Sequence, residues 1–206
     1  MNEKETILKS EALMAKDKLL HHGVIAFPTE TVMGLAVIFN DKEAHDRLNK
    51  VKRRPEDKPY TLMVKSKDEI YKYSVVDERI ERVINAFIPG SLTILVPLKE
   101  GSVPEYVVHG THVLGIRVPK NRESLAVLEA VDTPLLVPSA NRSGETPALT
   151  DYEVKQIFGD EIDFVVSGKA QKSLPSTIVD LTGETPKVVR KGPISEDEIL
   201  KVWFNQ

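Results

Sequence analysis

The stretch VIAFPTETVMGLAVIF, Val24 to Phe39, places two apolar runs, 24–27 and 34–39, on either side of a six-residue loop. Short apolar runs bounded by turn residues read as buried strands. A loop of six residues is too short for a crossover helix, so the two strands should run antiparallel. TIVDL (177–181) and KVVR (187–190) are close enough for the same reading. Further strands are expected at YTLMV (60–64), LTILVPL (92–98), VLGIRVP (113–119), LLVP (135–138) and DFVV (163–166). The segment 99–112 is read as a loop joining two of them.

Helices fall between these strands without strict alternation. Ile7, Leu8, Leu13, Leu19 and Leu20 read as the inner face of an N-terminal helix stopped by Gly23. Asp41 caps a helix whose Ala44, Leu48 and Val51 face inward, and which ends before Pro55. Ile80, Val83, Ile84 and Phe87 have helical spacing, giving a helix over 77–87 ended by Pro89-Gly90. Asn121 caps a helix running through Leu128. Capping boxes are expected at Ser66/Glu69, Thr150/Glu153 and Ser195/Glu198, the last with Ile194 and Ile199 as a hydrophobic staple. The fold class that follows is α/β (α+β): a mixed parallel/antiparallel sheet with helices packed on it, in one domain over residues 1–206.

Composition narrows the chemistry. The net charge of −3 argues against broad coating of nucleic acid, and the absence of cysteine excludes disulfides, thiolate metal sites and cysteine nucleophiles. No apolar run suits a signal peptide or a membrane span, so a cytoplasmic setting is expected. Walker, dinucleotide and nucleophile-elbow motifs are missing. His109 and His112 have no third ligand nearby, so no protein-held metal is expected.

Against that background, one cluster stands out. Between Arg47 and Lys58 six side chains are basic (Arg47, Lys50, Lys52, Arg53, Arg54, Lys58) and only Glu56 and Asp57 are acidic. A solvated helix end is one reading; crowded like charges awaiting an anion is the other. Arg117 lies within an apolar strand, where a buried cation needs a partner, so it faces either water or an anion. PSANRSGETP (138–147) offers Ser139, Asn141, Arg142 and Ser143 as donors in a loop able to form an anion nest. Thr31 in the first loop, Ser176 and Thr177 at a strand mouth, and Arg190 at the end of another strand add further donors.

The segments FPTETVMGL, KVKRRPEDKP, IPGSLTILV, GIRVP, PSANRSG, PSTIVDL and VVRKGPIS resemble, in order and spacing, those of the YrdC/TsaC family. The likeness covers roughly residues 10 to 200 and fits the short form without a C-terminal extra domain. The resemblance implies a twisted α/β sheet with a concave basic cleft and L-threonylcarbamoyladenylate synthesis. In that reaction L-threonine, bicarbonate or CO2, and ATP give threonylcarbamoyl-AMP and pyrophosphate. A nucleotidyltransferase of tRNA modification is implied, supplying a threonylcarbamoyl transferase complex that acts on tRNA, with at most weak RNA contact of its own.

On that resemblance, Lys52, Arg54, Ser139 and Asn141 form the catalytic set. Arg54 and Lys58 should hold the triphosphate, with Lys52 near the α-phosphate. Ser139, Asn141, Ser143 and Arg190 should contact the nucleotide, and Thr31, Arg117 and Ser176 the threonine. Mg2+ should enter on the phosphates. The chain departs from the pattern at Met33, where tyrosine is usual and a pocket-lining role is expected, at Arg53 for glycine, and at Ser167-Gly168. Two alternatives remain: an RNA-binding module with a basic cleft, and a carbamoyl-handling module of related fold.

Overall fold

Among the described residues the apolar runs form nine strands: β1 (Ile25–Phe27), β2 (Gly34–Ile38), β3 (Leu62–Met63), β4 (Leu92–Pro97), β5 (Val113–Arg117), β6 (Leu135–Leu136), β7 (Phe164–Val165), β8 (Thr177–Asp180) and β9 (Lys187–Arg190). In this computed structural model, which describes residues 3–55 and 58–205, they join one sheet in the order β7-β1-β2-β6-β3-β5-β4-β8-β9. Glu56 and Asp57 of the basic cluster lie outside the described residues. The sheet is mixed. The hairpin β1–β2 is antiparallel, with Phe27 opposite Gly34, and so is β8–β9. The pairs β1–β7, β3–β5 and β4–β8 are parallel.

Around the sheet lie α1 (Glu3–Leu20), α2 (Lys42–Lys52), α3 (Lys67–Tyr73), α4 (Glu78–Phe87), α5 (Glu105–Val108), α6 (Arg122–Val131), α7 (Asp151–Phe158) and α8 (Glu196–Trp203), with a 3-10 turn at Gly159–Glu161. The strands β1, β2, β3 and β6 read as unbroken apolar runs because they are buried on both faces, whereas β9 at the sheet edge is largely exposed. Successive residues go to opposite cores. Leu35 and Val37 of β2 join Leu62 and Leu136 on one side; Ala36 and Ile38 join Met63 and Leu135 on the other. The second core is closed by α1 and α6, through Ala12, Ala15, Leu19, Val127, Leu128 and Val131.

That alternation also places the polar site. In β4 and β5, Leu92, Ile94, Leu114 and Ile116 point into the first core. Thr93 and Arg117 must therefore face the other side of the sheet. There they join Thr61, Val137, Ser176 and Ile178 as the floor of an open cleft.

Local chemistry explains most element ends. The Asp41 carboxylate accepts from Ala44 N at 3.0 Å and starts α2; Arg53, left-handed at φ 50°, ends it. Asp77 accepts from Ile80 N at 2.8 Å and starts α4, as the spacing of Ile80, Val83 and Ile84 requires. Asn121 caps α6, which runs on three residues past Leu128. Both the Thr150/Glu153 and the Ser195/Glu198 capping boxes form.

Four expectations are corrected. Ser66 makes no side-chain cap bond, because Glu69 turns back to accept from Lys65 N instead. The inner face of α1 is Leu8, Ala12, Ala15 and Leu19, while Ile7, Leu13 and Leu20 are exposed. Small alanines win there because α1 packs against α6, where close approach matters more than side-chain bulk. The segment 99–112 contains α5, a helix of four residues too short to show a period. Met33 lies in the first core and is fully buried. It fills space under the loop and does not line the cleft.

Candidate active site

The cleft has a volume of ≈ 180 Å³. Thr31, Arg54, Arg117, Ser139, Ser176 and Arg190 all line it, although they are far apart in the chain. Each is set by the end of an element. Thr31 sits in the β1–β2 loop, where Thr29 Oγ1 accepts from Thr31 N at 3.1 Å and donates to Val32 O at 2.6 Å. Arg117 ends β5, and its Nε donates to Gly90 O (3.3 Å) just beyond α4. Ser176 precedes β8, its hydroxyl 2.9 Å from that of Thr93 in β4. Arg190 ends β9 and donates to Ser176 O from both Nε (3.0 Å) and Nη2 (2.8 Å). Arg54 follows α2, donates to Pro59 O at 2.9 Å and stacks 4.6 Å from the centre of the Tyr60 ring.

Three guanidinium groups thus line one hollow whose lining residues include no carboxylate. Partial burial, and then the like charge of Arg117, lower the pKa of Arg190 from its usual value. Arginine stays charged nonetheless, so the hollow is a standing anion trap.

Arg117 is not unpaired. Its Nη2 donates to Glu30 Oε1 at 2.7 Å and to Thr31 Oγ1 at 3.2 Å. The ion pair is buried on both sides. The guanidinium has five N–H donors, and Nη1 makes no hydrogen bond among the described residues. Sequence reasoning left Glu30 out. The available signal was a carboxylate between two threonines in a chain that also buries an arginine.

Lys52 and Asn141 sit directly behind Ser139 and are not part of the cleft lining. Lys52 is buried, and its ammonium donates to Ser139 O (2.6 Å), Asn141 O (2.8 Å) and Asn141 Oδ1 (3.4 Å). Burial, then the charges of Arg54 and Arg142, push its pKa down to about 7. Asn141 Oδ1 also accepts from Ser139 Oγ at 2.5 Å, while Nδ2 donates to Arg142 O and Glu145 O. These two residues shape the loop that presents Ser139. Arg142, offered by sequence as a ligand donor, is buried against Val51 O, Ile157 O and Glu161. Ser143 and Lys58 are exposed and do not line the cleft. Backbone bonds tie both residues to the site: Ser143 N donates to Lys52 O, and Lys58 O accepts from Arg54 Nε.

The Ser176 wall depends on Gly192. A Cβ there would stand 2.3 Å from Thr177 N and 2.6 Å from both Pro175 O and Ser176 C. Those are backbone atoms that cannot swing aside. Gly192→Ala should cost about 1–3 kcal/mol of stability by overpacking, and should displace Ser176. At Gly183 the nearest atom is Thr185 O at 3.8 Å, so Gly183→Ala should be close to neutral. Thermal unfolding of the two variants checks the contrast.

Comparison with known proteins bears on the family and the fold. The Sua5/YciO/YrdC family profile, described as "Telomere recombination", matches residues 17–192. The chain is 30% identical over 204 residues to threonylcarbamoyl-AMP synthase of Pyrococcus abyssi, covering 98% of this chain and 60% of that protein. It is 34% identical over 173 residues to the uncharacterized protein YciO of Escherichia coli, covering 82% and 83% of the two chains. The solved structure of P. abyssi Sua5 complexed with L-threonine superposes with a TM-score of 0.89 at 30% identity, over 94% of this chain and 57% of that one. The chain therefore spans about 60% of the length of its P. abyssi relative. With a profile match over most of its length and the same α/β sheet, the chain belongs to the Sua5/YciO/YrdC family.

Proposed function

We propose that the cleft makes threonylcarbamoyl-AMP and pyrophosphate from L-threonine, bicarbonate or CO2, and ATP. The observation that carries this reading is the convergence of Arg54, Arg117 and Arg190 with Thr31, Ser139 and Ser176 in one hollow. The P. abyssi relatives, a threonylcarbamoyl-AMP synthase and a Sua5 complexed with L-threonine, support it.

The chemistry explains the site's composition. The threonine carboxylate, a carbamate and a triphosphate repel one another, so fixed cations must offset that repulsion. The threonine ammonium first loses a proton to water; the free amine then attacks carbon dioxide, forming the N–C bond and releasing a second proton to water. A carbamate oxygen then attacks the α-phosphorus, and the bond to pyrophosphate breaks. Little covalent work falls to the chain; position and charge do most of it.

In this mechanism Nη1 of Arg117 takes the threonine carboxylate, and Thr31 and Ser176 take its remaining polar groups. Arg54 and Arg190 hold the nucleotide phosphates from opposite walls, with Lys58 reaching in from the rim. The Ser139 hydroxyl turns its one proton from Asn141 Oδ1 to a nucleotide oxygen. Lys52, Asn141 and Ser143 act through the shape of the Ser139 loop. Mg2+ would enter with ATP as part of that substrate and would help neutralise the phosphate charge beside Arg54 and Arg190. The product would pass to a transferase acting on tRNA in the cytoplasm.

The test is pyrophosphate release with each of the three substrates omitted in turn. Release should require all three. Release with ATP alone, or none with all three present, contradicts the proposal. Tight salt-sensitive RNA binding without turnover would instead favour an RNA-binding module.

A further inference from the structure

Of the three guanidinium groups in the cleft, Arg54 has the least rigid footing. Arg117 and Arg190 stand on strands β5 and β9, whereas Arg54 stands on the segment between α2 and β3. A long side chain leaving such a segment has many rotamers, and ordering it on binding costs affinity. Neighbouring groups hold it in advance. The Arg54 guanidinium carbon lies 4.6 Å from the centre of the Tyr60 ring, and its Nη2 donates to Pro59 O at 2.9 Å. Tyr60 is only 3% exposed, yet it lines the cleft beside Arg54. Its hydroxyl donates to Asn49 Oδ1 of α2 at 2.6 Å. Burial raises the pKa of that hydroxyl, so it keeps the proton it donates. The ring also meets His45 of α2 edge to face, with centroids 5.6 Å apart. Asn49 grips the other end of the same arginine, since Arg54 N donates to Asn49 O at 3.0 Å. One residue of α2 thus fixes the Arg54 backbone directly and its guanidinium through Tyr60.

We infer that Tyr60 is a positioning residue for nucleotide binding: it seats Arg54 against α2, in the place where a phosphate is received. Stacking occupies the face of a guanidinium and not its N–H rim. The ring therefore holds the group without competing with a phosphate for its donors. The inference rests on the nucleotide reading of the cleft given above. It leaves the chemical steps unchanged.

Calorimetric titration with ATP, and separately with L-threonine, compares the wild type with Tyr60→Met and Tyr60→Phe. Methionine fills the space under Arg54 without a π-face. In Tyr60→Met, ATP binding should weaken by about three- to thirtyfold, the range of one cation–π contact, while threonine binding changes by less than about twofold. Phenylalanine keeps the ring and cuts only the bond to Asn49, so Tyr60→Phe should bind ATP about two- to threefold more weakly than the wild type. In an Arg54→Ala background, Tyr60→Met should cost less than about a further twofold in ATP affinity, because the ring has nothing left to seat. Unchanged ATP affinity in either single variant overturns the inference. So does a parallel loss of ATP and threonine binding, which a merely structural residue would show. A full additional loss in the Arg54→Ala background would give Tyr60 a role apart from Arg54 and also contradict it. Failure of the wild type to bind ATP would instead sink the nucleotide reading itself.

Discussion

Arg117→Leu is expected to abolish threonine-dependent pyrophosphate release and to lower the unfolding free energy by about 3–5 kcal/mol, the range for breaking a buried ion pair. Two separate losses are combined. Removing the guanidinium takes away the carboxylate clamp, and it also strands Glu30, whose Oε1 loses its 2.7 Å partner while Oε2 already lacks one. The double variant Arg117→Leu/Glu30→Leu separates the two. It leaves no buried charge, so most of the stability should return, while activity should not. Arg117→Lys keeps the charge but loses the planar fork that serves Gly90 O, Glu30, Thr31 and a substrate carboxylate at once, so threonine should bind more weakly in a folded protein. Chemical denaturation and threonine titration of the three variants read these outcomes. Threonine affinity unchanged in Arg117→Lys, or a double variant as unstable as the single one, would contradict the pairing argument.

Lys52→Met carries the second large effect. The methionine fills similar volume but leaves Ser139 O and Asn141 O without their donor. Each buried orphan costs about 1–3 kcal/mol, so a loss of roughly 2–6 kcal/mol is expected. Ser139 should shift with its loop, and a displacement near 1 Å lowers turnover by about a hundredfold. The pH dependence gives an independent signature. Burial holds the folded-state pKa of Lys52 at about 7, below the usual lysine value of 10.5. Between those values the unfolded chain binds the proton and the folded chain has released it. Stability should therefore rise as pH increases through that window, and the cost of the buried charge is fully present below it. Lys52→Met should lack this rise. Urea midpoints of both proteins, measured from pH 7 to pH 10, test it, and parallel curves would refute the buried-ammonium account.

Much of the fold is legible in residue order because the physics is local. The Val24–Phe39 hairpin follows from loop length alone, and α4 follows from the spacing of Ile80, Val83 and Ile84. Where packing decides, the reading fails. In α1 the large residues Ile7, Leu13 and Leu20 look like the core face, but Ala12 and Ala15 are chosen by the closeness of α6. Ser66/Glu69 has the composition of a capping box, yet the Glu69 carboxylate finds Lys65 N first.

The site divides in the same way. Arg117 is detectable as a charge in an apolar strand, and strand alternation explains which face it occupies. Its partner is not detectable, because nothing local links Glu30 to a residue 87 positions away. Lys52 and Asn141 both contact the loop that carries Ser139. Spacing does not reveal which side of that loop they serve. The structure puts them beneath it, with Ser139 on the cleft side.

The most direct test of the central claim is mass spectrometry of the nucleotide product formed from ATP, L-threonine and isotope-labelled bicarbonate. Threonylcarbamoyl-AMP carrying one labelled carbon is the predicted product, and it should disappear in Arg117→Lys at low threonine. Unlabelled threonyl-AMP, or ADP and phosphate independent of threonine, would contradict the account.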